Sequence, residues 1–258
     1  MNISSLHFLD PNPSGSPVVV LLHGLGANGS SWTLQFDPLI TTGFRPIAPD
    51  APGFGESPYD GKGWNVVRAS AATAELVMEL KADPAHVIGI SMGGTIAQQI
   101  ALDFSQLVRK LVLVNTFAVL RPARISGWIY FLQRFILVHT LGLPTQARLV
   151  AGRIFPGEDQ LVARDLLIKQ ILQADPRAYR AAMRSLGLFN SKQRLGEIET
   201  PTLIISGDRD STVPLPSQRM LVEGIHGARQ VIIPCAGHAV TVDQPDLFNH
   251  AMLDFLKD

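Results

Sequence analysis

Short runs of β-branched residues and leucine recur along the chain and alternate with longer segments whose apolar residues have helical spacing. Most of the runs are continuous, which is typical of parallel strands covered on both faces. Six such runs predict strands at Val18–Leu22, Arg45–Ala48, Val87–Ile90, Leu111–Val114, Leu203–Ile205 and Gln230–Ile233. Five amphipathic segments predict helices at Ser31–Thr41, Trp64–Lys81, Gly94–Phe104, Leu215–Glu223 and Pro245–Leu256. This alternation predicts an α/β fold, a doubly wound and mostly parallel sheet with right-handed crossovers.

One long segment interrupts the alternation. From Phe117 to Gly196 no strand pattern occurs, and the helical patterns there are broken by glycine or proline. We therefore predict a core of residues 1–116 and 197–258, with a helical subdomain inserted at 117–196. Because the insertion lies between two strands, we expect it to emerge at one edge of the sheet.

The first half of the insertion is apolar and basic. Apolar residues are too dense along Ile125–Leu143 for one helix face, so we expect Trp128, Phe131 and Phe135 to line a site beneath. The alternative is that they pack the insertion onto the core or against a second subunit. Asp103 and Glu158 have no acidic residue between them. The arginines there could favour an anionic substrate or a membrane surface, but we expect them to be mostly solvated.

Length, charge and cysteine content exclude several classes of protein. The length of 258 residues fits one domain or a domain with a large insertion, and 46% hydrophobic residues suffice for a core. Lys+Arg and Asp+Glu both total 22, so no basic surface for nucleic acid is expected. The single cysteine, Cys235, excludes an intramolecular disulfide and a multi-cysteine metal site, and we expect it to pack against the sheet. With no signal-peptide pattern at the start and no apolar stretch of membrane-spanning length, we expect a cytoplasmic protein without stable membrane insertion.

The segment Gly89–Gly93 fits the G-x-S-x-G pattern of a nucleophile elbow, with Ser91 at its centre. A serine at a sharp strand-to-helix turn needs small neighbours on both sides. The pattern alone is weak, but here it directly follows the strand Val87–Ile90 and directly precedes the helical run from Gly94. That context favours a nucleophile over a glycine-rich turn without chemistry.

The loop His23–Gly26 follows the first central strand, where a backbone N–H can point at a developing oxyanion. The candidate donors are the amides of Leu25 and Met92. We interpret His23 as a structural residue that fixes the loop. Asp50, in the loop after the next strand, is expected to cap backbone amides.

Two further loops offer an acid and a base. Asp208 and Asp210 follow the strand at Leu203–Ile205, and either carboxylate could orient an imidazole while the other serves the turn. Among the seven histidines, His238 combines a post-strand loop, a flanking glycine and the chain order serine, acid, histidine. A plain loop histidine is the alternative interpretation.

Taken together, these motifs resemble the α/β-hydrolase superfamily, and the resemblance covers nearly the whole chain outside the insertion. The motifs that carry it are Val20–Gly26, Asp50–Ser57, Gly89–Gly94, Gly207–Pro214 and Gly237–His238. The resemblance implies Ser91 as nucleophile, Asp210 as acid and His238 as base. The insertion at 117–196 matches the family's cap domain in location.

The resemblance also limits which of the family's reactions we expect. A serine at the elbow differs from the aspartate of haloalkane dehalogenases and epoxide hydrolases, and Ile90 differs from the asparagine often found before the serine in carbon–carbon bond hydrolases. Some members of the family carry the catalytic acid one strand earlier. In this chain the corresponding position, after Leu111–Val114, is Asn115, which has no carboxylate. We therefore expect a serine hydrolase that cleaves a small-molecule carboxylic ester through an acyl-enzyme, with a hydrophobic acyl or alcohol group and no metal or organic cofactor. A lactonase, perhydrolase, carbon–carbon hydrolase or lyase with the same triad, and a ligand receptor with this fold, are the alternatives. The sequence leaves the oligomeric state open.

Overall fold

The computed structural model describes residues 6–120 and 125–258, without the side chains of residues 125–128 and 131. Within this part of the chain, seven strands form one sheet in the order β1-β3-β2-β4-β5-β6-β7. The strands are β1 Phe8–Leu9, β2 Val18–Leu22, β3 Arg45–Pro49, β4 Ala85–Ile90, β5 Val108–Val114, β6 Thr202–Gly207 and β7 Arg229–Ile233. All adjacent pairs are parallel except β1 with β3, so the predicted fold class is confirmed.

Helices cover both faces of this sheet. Their bounds are α1 Thr33–Thr41, α2 Val66–Glu79, α3 Met92–Asp103, α4 Ile125–Thr140, α5 Gly142–Ile154, α6 Leu161–Gln173, α7 Pro176–Leu188, α8 Leu215–Gly224, α9 Val240–Asp243 and α10 Pro245–Lys257. Val18 and Val20 of β2 belong to the core cluster that includes α2, α3 and α8, whereas Val19 and Leu21 belong to the cluster with α1 and α10. Burial on both faces explains why the strands are continuous apolar runs.

Helices α4 to α7 lie in the chain between β5 and β6, two neighbouring strands of the sheet. The left-handed Gly142 (φ 72°) begins α5, and Pro144 lies in the first turn of that helix, where a proline removes no intrahelical hydrogen bond. The assignment of residues 117–196 as a cap domain stays a prediction. In the chain portions 6–120 and 125–258, none of the helices has the length and apolar character that crossing a membrane requires.

Two sequence-based expectations differ from the structure. Strand β1 was not predicted, because two residues paired antiparallel with Pro49 and Ala48 leave no apolar run to detect. Cys235 does not pack against the sheet: it is exposed, has a positive φ of 57°, and its Sγ lies 3.2 Å from Nη2 of Arg209. The turn that follows β7 carries it outward.

Candidate active site

Ser91 occupies a strained turn between β4 and α3. Its backbone angles, φ 54° and ψ −111°, lie in a region that residues with side chains rarely adopt. A Cβ atom on Gly89 would clash with the carbonyl oxygen of Gly93, and one on Gly93 would clash with that of Leu22. The two glycines of the motif are therefore required by close backbone approach, which holds the serine at the tip of the turn.

The loop after β2 lies against this serine. A Cβ atom on Gly24 would be 3.7 Å from the Cβ of Ser91, and Leu25 lines the same cavity as Ser91. Met92 is the first residue of α3, where a backbone amide has no acceptor within its own helix. Leu25 and Met92 thus belong to the two segments beside the serine, and their amides as oxyanion donors stay a prediction.

His23 fixes the shape of that loop. Its Nε2 accepts a hydrogen bond of 2.9 Å from the amide of Ala51, so Nδ1 carries the proton and donates to the carbonyl oxygen of Gly24 at 2.8 Å. Burial lowers the pKa of His23, which keeps the imidazole neutral. Both ring nitrogens are engaged, so this histidine is a structural residue, as its position in the sequence predicted.

Asp50 ties the neighbouring loops together. Its Oδ1 accepts from the amide of Gly29 at 2.7 Å, and its Oδ2 accepts from the amide of Glu56 at 2.9 Å. Nδ1 of His7 is also 2.8 Å from Oδ2. These contacts agree with the predicted capping role and leave no free oxygen for proton transfer.

His238 and Asp210 are directly bonded. Nδ1 of His238 lies 2.9 Å from Oδ2 of Asp210, and both residues are buried. The other carboxylate oxygen of Asp210 accepts from the amides of Thr212 at 2.7 Å and Val213 at 2.9 Å. These two amides orient the carboxylate, and the carboxylate in turn engages Nδ1 of His238. Nε2 is therefore the ring nitrogen that remains available to a group in the cavity, which His238 and Ser91 both line.

Asp208, the alternative candidate for the acid, is exposed, and its carboxylate bonds a different residue. Its Oδ1 accepts a 3.3 Å hydrogen bond from the amide of Ala236, within the turn that precedes His238. The structure therefore brings Asp210, and not Asp208, to the imidazole.

Asn115 supports the histidine loop from below, a role that the sequence did not indicate. Its Nδ2 donates to the carbonyl oxygens of Gly237 and His238, each at 2.9 Å, and its Oδ1 accepts from the amide of Gly207 at 2.9 Å. Asn115 is fully buried and has a left-handed φ of 42°. An asparagine tolerates this backbone region better than most residues, and its amide offers both donors and an acceptor.

Asp243 holds the other side of the same loop. Its Oδ2 accepts from the amide of Gly237 at 2.8 Å, and its Oδ1 accepts from Nε2 of Gln160 at 2.9 Å. Burial raises the pKa of Asp243. Since Gln160 comes from the chain between β5 and β6, this carboxylate links that segment to the histidine loop.

A cavity of about 1010 Å³ lies against the serine and the histidine. Ser91, His238 and Leu25 lie in its wall, which is otherwise mostly apolar and includes Trp32 and Phe135. The side chains of Trp128 and Phe131, the other two predicted substrate contacts, lie outside the described residues. Phe135 lines the cavity while 42% of its surface remains exposed.

The arginines of the insertion were expected to be mostly solvated, and Arg134 is a buried exception. Arg134 of α4 is only 7% exposed and forms part of the cavity wall. Its positive charge is evident from the sequence, but its burial depends on packing between α4 and α7.

This sheet and site define the α/β hydrolases, and the family model of that name, "Alpha/beta hydrolase family", matches residues 19–251. The chain belongs to this family. The predicted resemblance is thereby confirmed.

Individual relatives differ in the reactions their names describe. The chain is 29% identical over 257 residues to a proposed carbamate hydrolase, RutD, of Variovorax paradoxus, covering 97% of this chain and 96% of the relative. It is also 29% identical over 255 residues to 2-hydroxy-6-oxo-6-phenylhexa-2,4-dienoate hydrolase of Burkholderia cepacia, covering 93% and 87% of the two chains. The solved enol-lactonase of Burkholderia xenovorans superposes with a TM-score of 0.88 at 25% identity, covering 98% of this chain and 96% of that one. The shared property of the three is hydrolysis.

Proposed function

We propose that the protein is a serine hydrolase that cleaves carboxylic esters, with Ser91 as nucleophile, His238 as base and Asp210 as acid. The observation that carries this proposal is the 2.9 Å bond between Asp210 and His238, in the same cavity as a serine on a strained elbow. An oriented imidazole that shares a cavity with a serine hydroxyl can convert this weak alcohol into a nucleophile.

In the proposed first step, Nε2 of His238 takes the proton of the Ser91 hydroxyl as its oxygen attacks the ester carbonyl carbon. The negative charge that forms on the carbonyl oxygen is stabilised by the amides of Leu25 and Met92. Each such donor lowers the barrier by about 3 kcal/mol in comparable sites. His238 then gives its proton to the leaving alkoxide, the alcohol departs, and an acyl-enzyme remains.

In the second step, His238 takes a proton from water, and the resulting hydroxide attacks the acyl carbon. The tetrahedral intermediate collapses, the Ser91 oxygen recovers a proton from His238, and the carboxylic acid leaves. The Asp210 carboxylate stabilises the imidazolium that forms in each step. Apart from the ester and one water molecule, these steps use only side chains and amides of this chain.

The mostly apolar cavity supports an ester with a hydrophobic acyl or alcohol group. Phe135 belongs to its wall, and we include Trp128 and Phe131 in the proposed substrate-binding surface on the basis of the sequence. A cap formed by residues 117–196 would roof this surface. Each methylene group buried there contributes about 0.8 kcal/mol.

A lactone is the second candidate substrate. A lactone is a cyclic ester, and the enol-lactonase is similar to this chain over nearly its full length. The same serine, histidine and aspartate would open the ring, with the leaving alcohol still attached to the acyl group.

Two measurements test the proposal. A fluorophosphonate probe should label the protein at Ser91, and p-nitrophenyl esters of graded acyl length should be hydrolysed. The Ser91→Ala variant should lose labelling and retain less than a few per cent of the hydrolysis, with an unchanged melting temperature, because the hydroxyl contributes little buried area. Lys192→Ala, at an exposed position remote from the cavity, is the control and should behave as wild type.

Two other outcomes would contradict the assignment of Ser91 or favour a different substrate. Full ester hydrolysis by a pure Ser91→Ala preparation would exclude Ser91 as nucleophile. Labelling of the wild type without turnover of any linear ester, together with opening of lactones, would favour the second candidate.

A further inference from the structure

Arg134 is a buried cation without an acidic partner. It is 93% buried, and within the described residues no aspartate or glutamate oxygen lies within 4 Å of its guanidinium. The undescribed positions, 1–5 and the side chains of 121–128 and 131, contain no acidic residue either. The chain itself therefore supplies no carboxylate to this guanidinium.

The groups around Arg134 are polar but neutral. Its Nη2 donates to the hydroxyl of Tyr179 at 3.2 Å. With the amide of Gln146 turned so that its oxygen faces the arginine, that oxygen lies 2.8 Å from Nε and 3.2 Å from Nη2. The ring of Tyr130 lies 5.6 Å from Cζ. Hydroxyl and amide oxygens hold the guanidinium in place, yet they do not compensate its charge.

A buried charge without a counter-charge is costly, and a guanidinium does not lose its proton in proteins. Arg134 is part of the wall of the cavity that also contains Ser91 and His238. In the described wall the other arginine, Arg184, is exposed, and no aspartate or glutamate takes part. The missing negative charge must then enter with whatever fills the cavity.

We propose that Arg134 binds a carboxylate of the substrate. One buried cation matches the single charge of a carboxylate, and a guanidinium N–H forms a strong charge-assisted hydrogen bond with a carboxylate oxygen. A phosphate monoester, which carries close to two charges, would need a second buried cation. This assignment rests on the proposed function and specifies its substrate class: an ester or lactone with a mainly apolar skeleton and one carboxylate away from the scissile bond.

Matched methyl esters test this assignment without relying on a variant. Methyl hexanoate and monomethyl adipate have the same acyl length and differ in the terminal group, and dimethyl adipate is a neutral diester of the same length. We expect wild-type kcat/KM for monomethyl adipate to exceed that for both neutral esters by at least about tenfold. Equal rates, or faster hydrolysis of the neutral esters, would overturn the proposal.

Two substitutions locate the effect. Arg134→Met should lower kcat/KM for the anionic ester at least tenfold more than for methyl hexanoate, whereas Arg134→Lys should retain part of the preference. Arg184→Met, which removes the exposed cation of the same cavity wall, is the control and should keep the preference. If Arg134 only joins α4 to α7, Arg134→Met will slow both esters equally, which would contradict the assignment.

Binding separates this proposal from the ester-hydrolase proposal. Titration calorimetry with adipate and the neutral dimethyl adipate on the Ser91→Ala protein should show adipate binding that Arg134→Met weakens by at least tenfold. If no ester is hydrolysed but adipate binds through Arg134, the proposed reaction is wrong and the carboxylate site stands. If esters are hydrolysed and adipate does not bind, or binds equally well to Arg134→Met, the carboxylate site is wrong.

Discussion

Asn115 donates a 2.9 Å hydrogen bond from Nδ2 to the main-chain carbonyl oxygen of His238. The same amide bonds Gly237 and Gly207, so one buried side chain at the end of β5 connects the end of β6 with the loop after β7. The position of the imidazole therefore depends on a residue that does not touch it. In this arrangement Asn115 is a positioning residue.

Asn115→Asp tests this role with almost no change in shape. The aspartate would place a carboxylate against two carbonyl oxygens in a buried site, so we expect a loss of about 2–4 kcal/mol in unfolding free energy. Displacement of His238 should lower kcat by 10-fold or more, an order-of-magnitude expectation, with little change in KM. Steady-state kinetics and urea unfolding measure the two effects. Lost stability with unchanged kcat would show that Asn115 supports the fold alone.

The two carboxylates after β6 should differ strongly in their effect on catalysis. Asp210→Asn replaces the oxygen that holds Nδ1 of His238, so kcat should fall by about 10⁴-fold. Asp208→Asn should cost only about 1 kcal/mol of stability and leave most of the activity, because Asp208 bonds the turn at Ala236. Kinetics on both variants with one ester measure the difference, and the reverse ranking would assign the acid to Asp208.

The cavity wall at Phe135 should govern acyl-chain preference. We expect kcat/KM to rise by up to a few fold per methylene from acetate to medium-length acyl esters, until the cavity is full. Phe135→Ala should flatten this rise, whereas Ile136→Ala, at the neighbouring exposed position outside the cavity wall, should not. A flat acyl-length profile that is the same in wild type and Phe135→Ala would show that Phe135 serves packing only.

His86 should make stability depend on pH. Burial, together with repulsion from Arg109 and Lys110, lowers the pKa of His86 to about 4. Since the unfolded state binds its proton near pH 6.5, this contribution to stability is present above pH 6.5 and is lost as the pH falls toward 4. Unfolding measured at pH 7.5 and pH 4.5 should show a loss about 1–3 kcal/mol larger in wild type than in His86→Gln. An identical pH dependence in both proteins would contradict this origin.

The sheet was predictable from the sequence because burial on both faces leaves a local trace in the form of continuous apolar runs such as Val18–Leu22. Ser91 was predictable for a similar reason, since its strained turn requires Gly89 and Gly93 within the same five residues. Both signals lie in a short stretch of chain.

Asn115, Asp243 and Arg134 were missed because their roles arise between distant segments. Asn115 bonds residues more than 90 positions away, and Arg134 reaches Tyr179 across 45 positions. In the sequence Arg134 is one of several scattered arginines, and only the packing of α4 on α7 separates it from those in solvent. The choice between Asp208 and Asp210 likewise depends on which carboxylate contacts His238, which lies in the loop after β7.

The chain leaves the sheet after Val114 and returns at Thr202, yet these segments are hydrogen-bonded neighbours, with Val114 opposite Ile205. The distance between the end of β5 and the start of β6 is therefore set by the geometry of the sheet, whatever number of helices lies between them. During divergence, the intervening helices can be lengthened, shortened or exchanged while Ser91, Asp210 and His238 keep their places on the ends of β4, β6 and β7. Under the proposed function, selection can thus alter which molecules bind without changing the residues proposed for proton transfer, and only contacts such as the hydrogen bond from Gln160 to Asp243 have to be rebuilt.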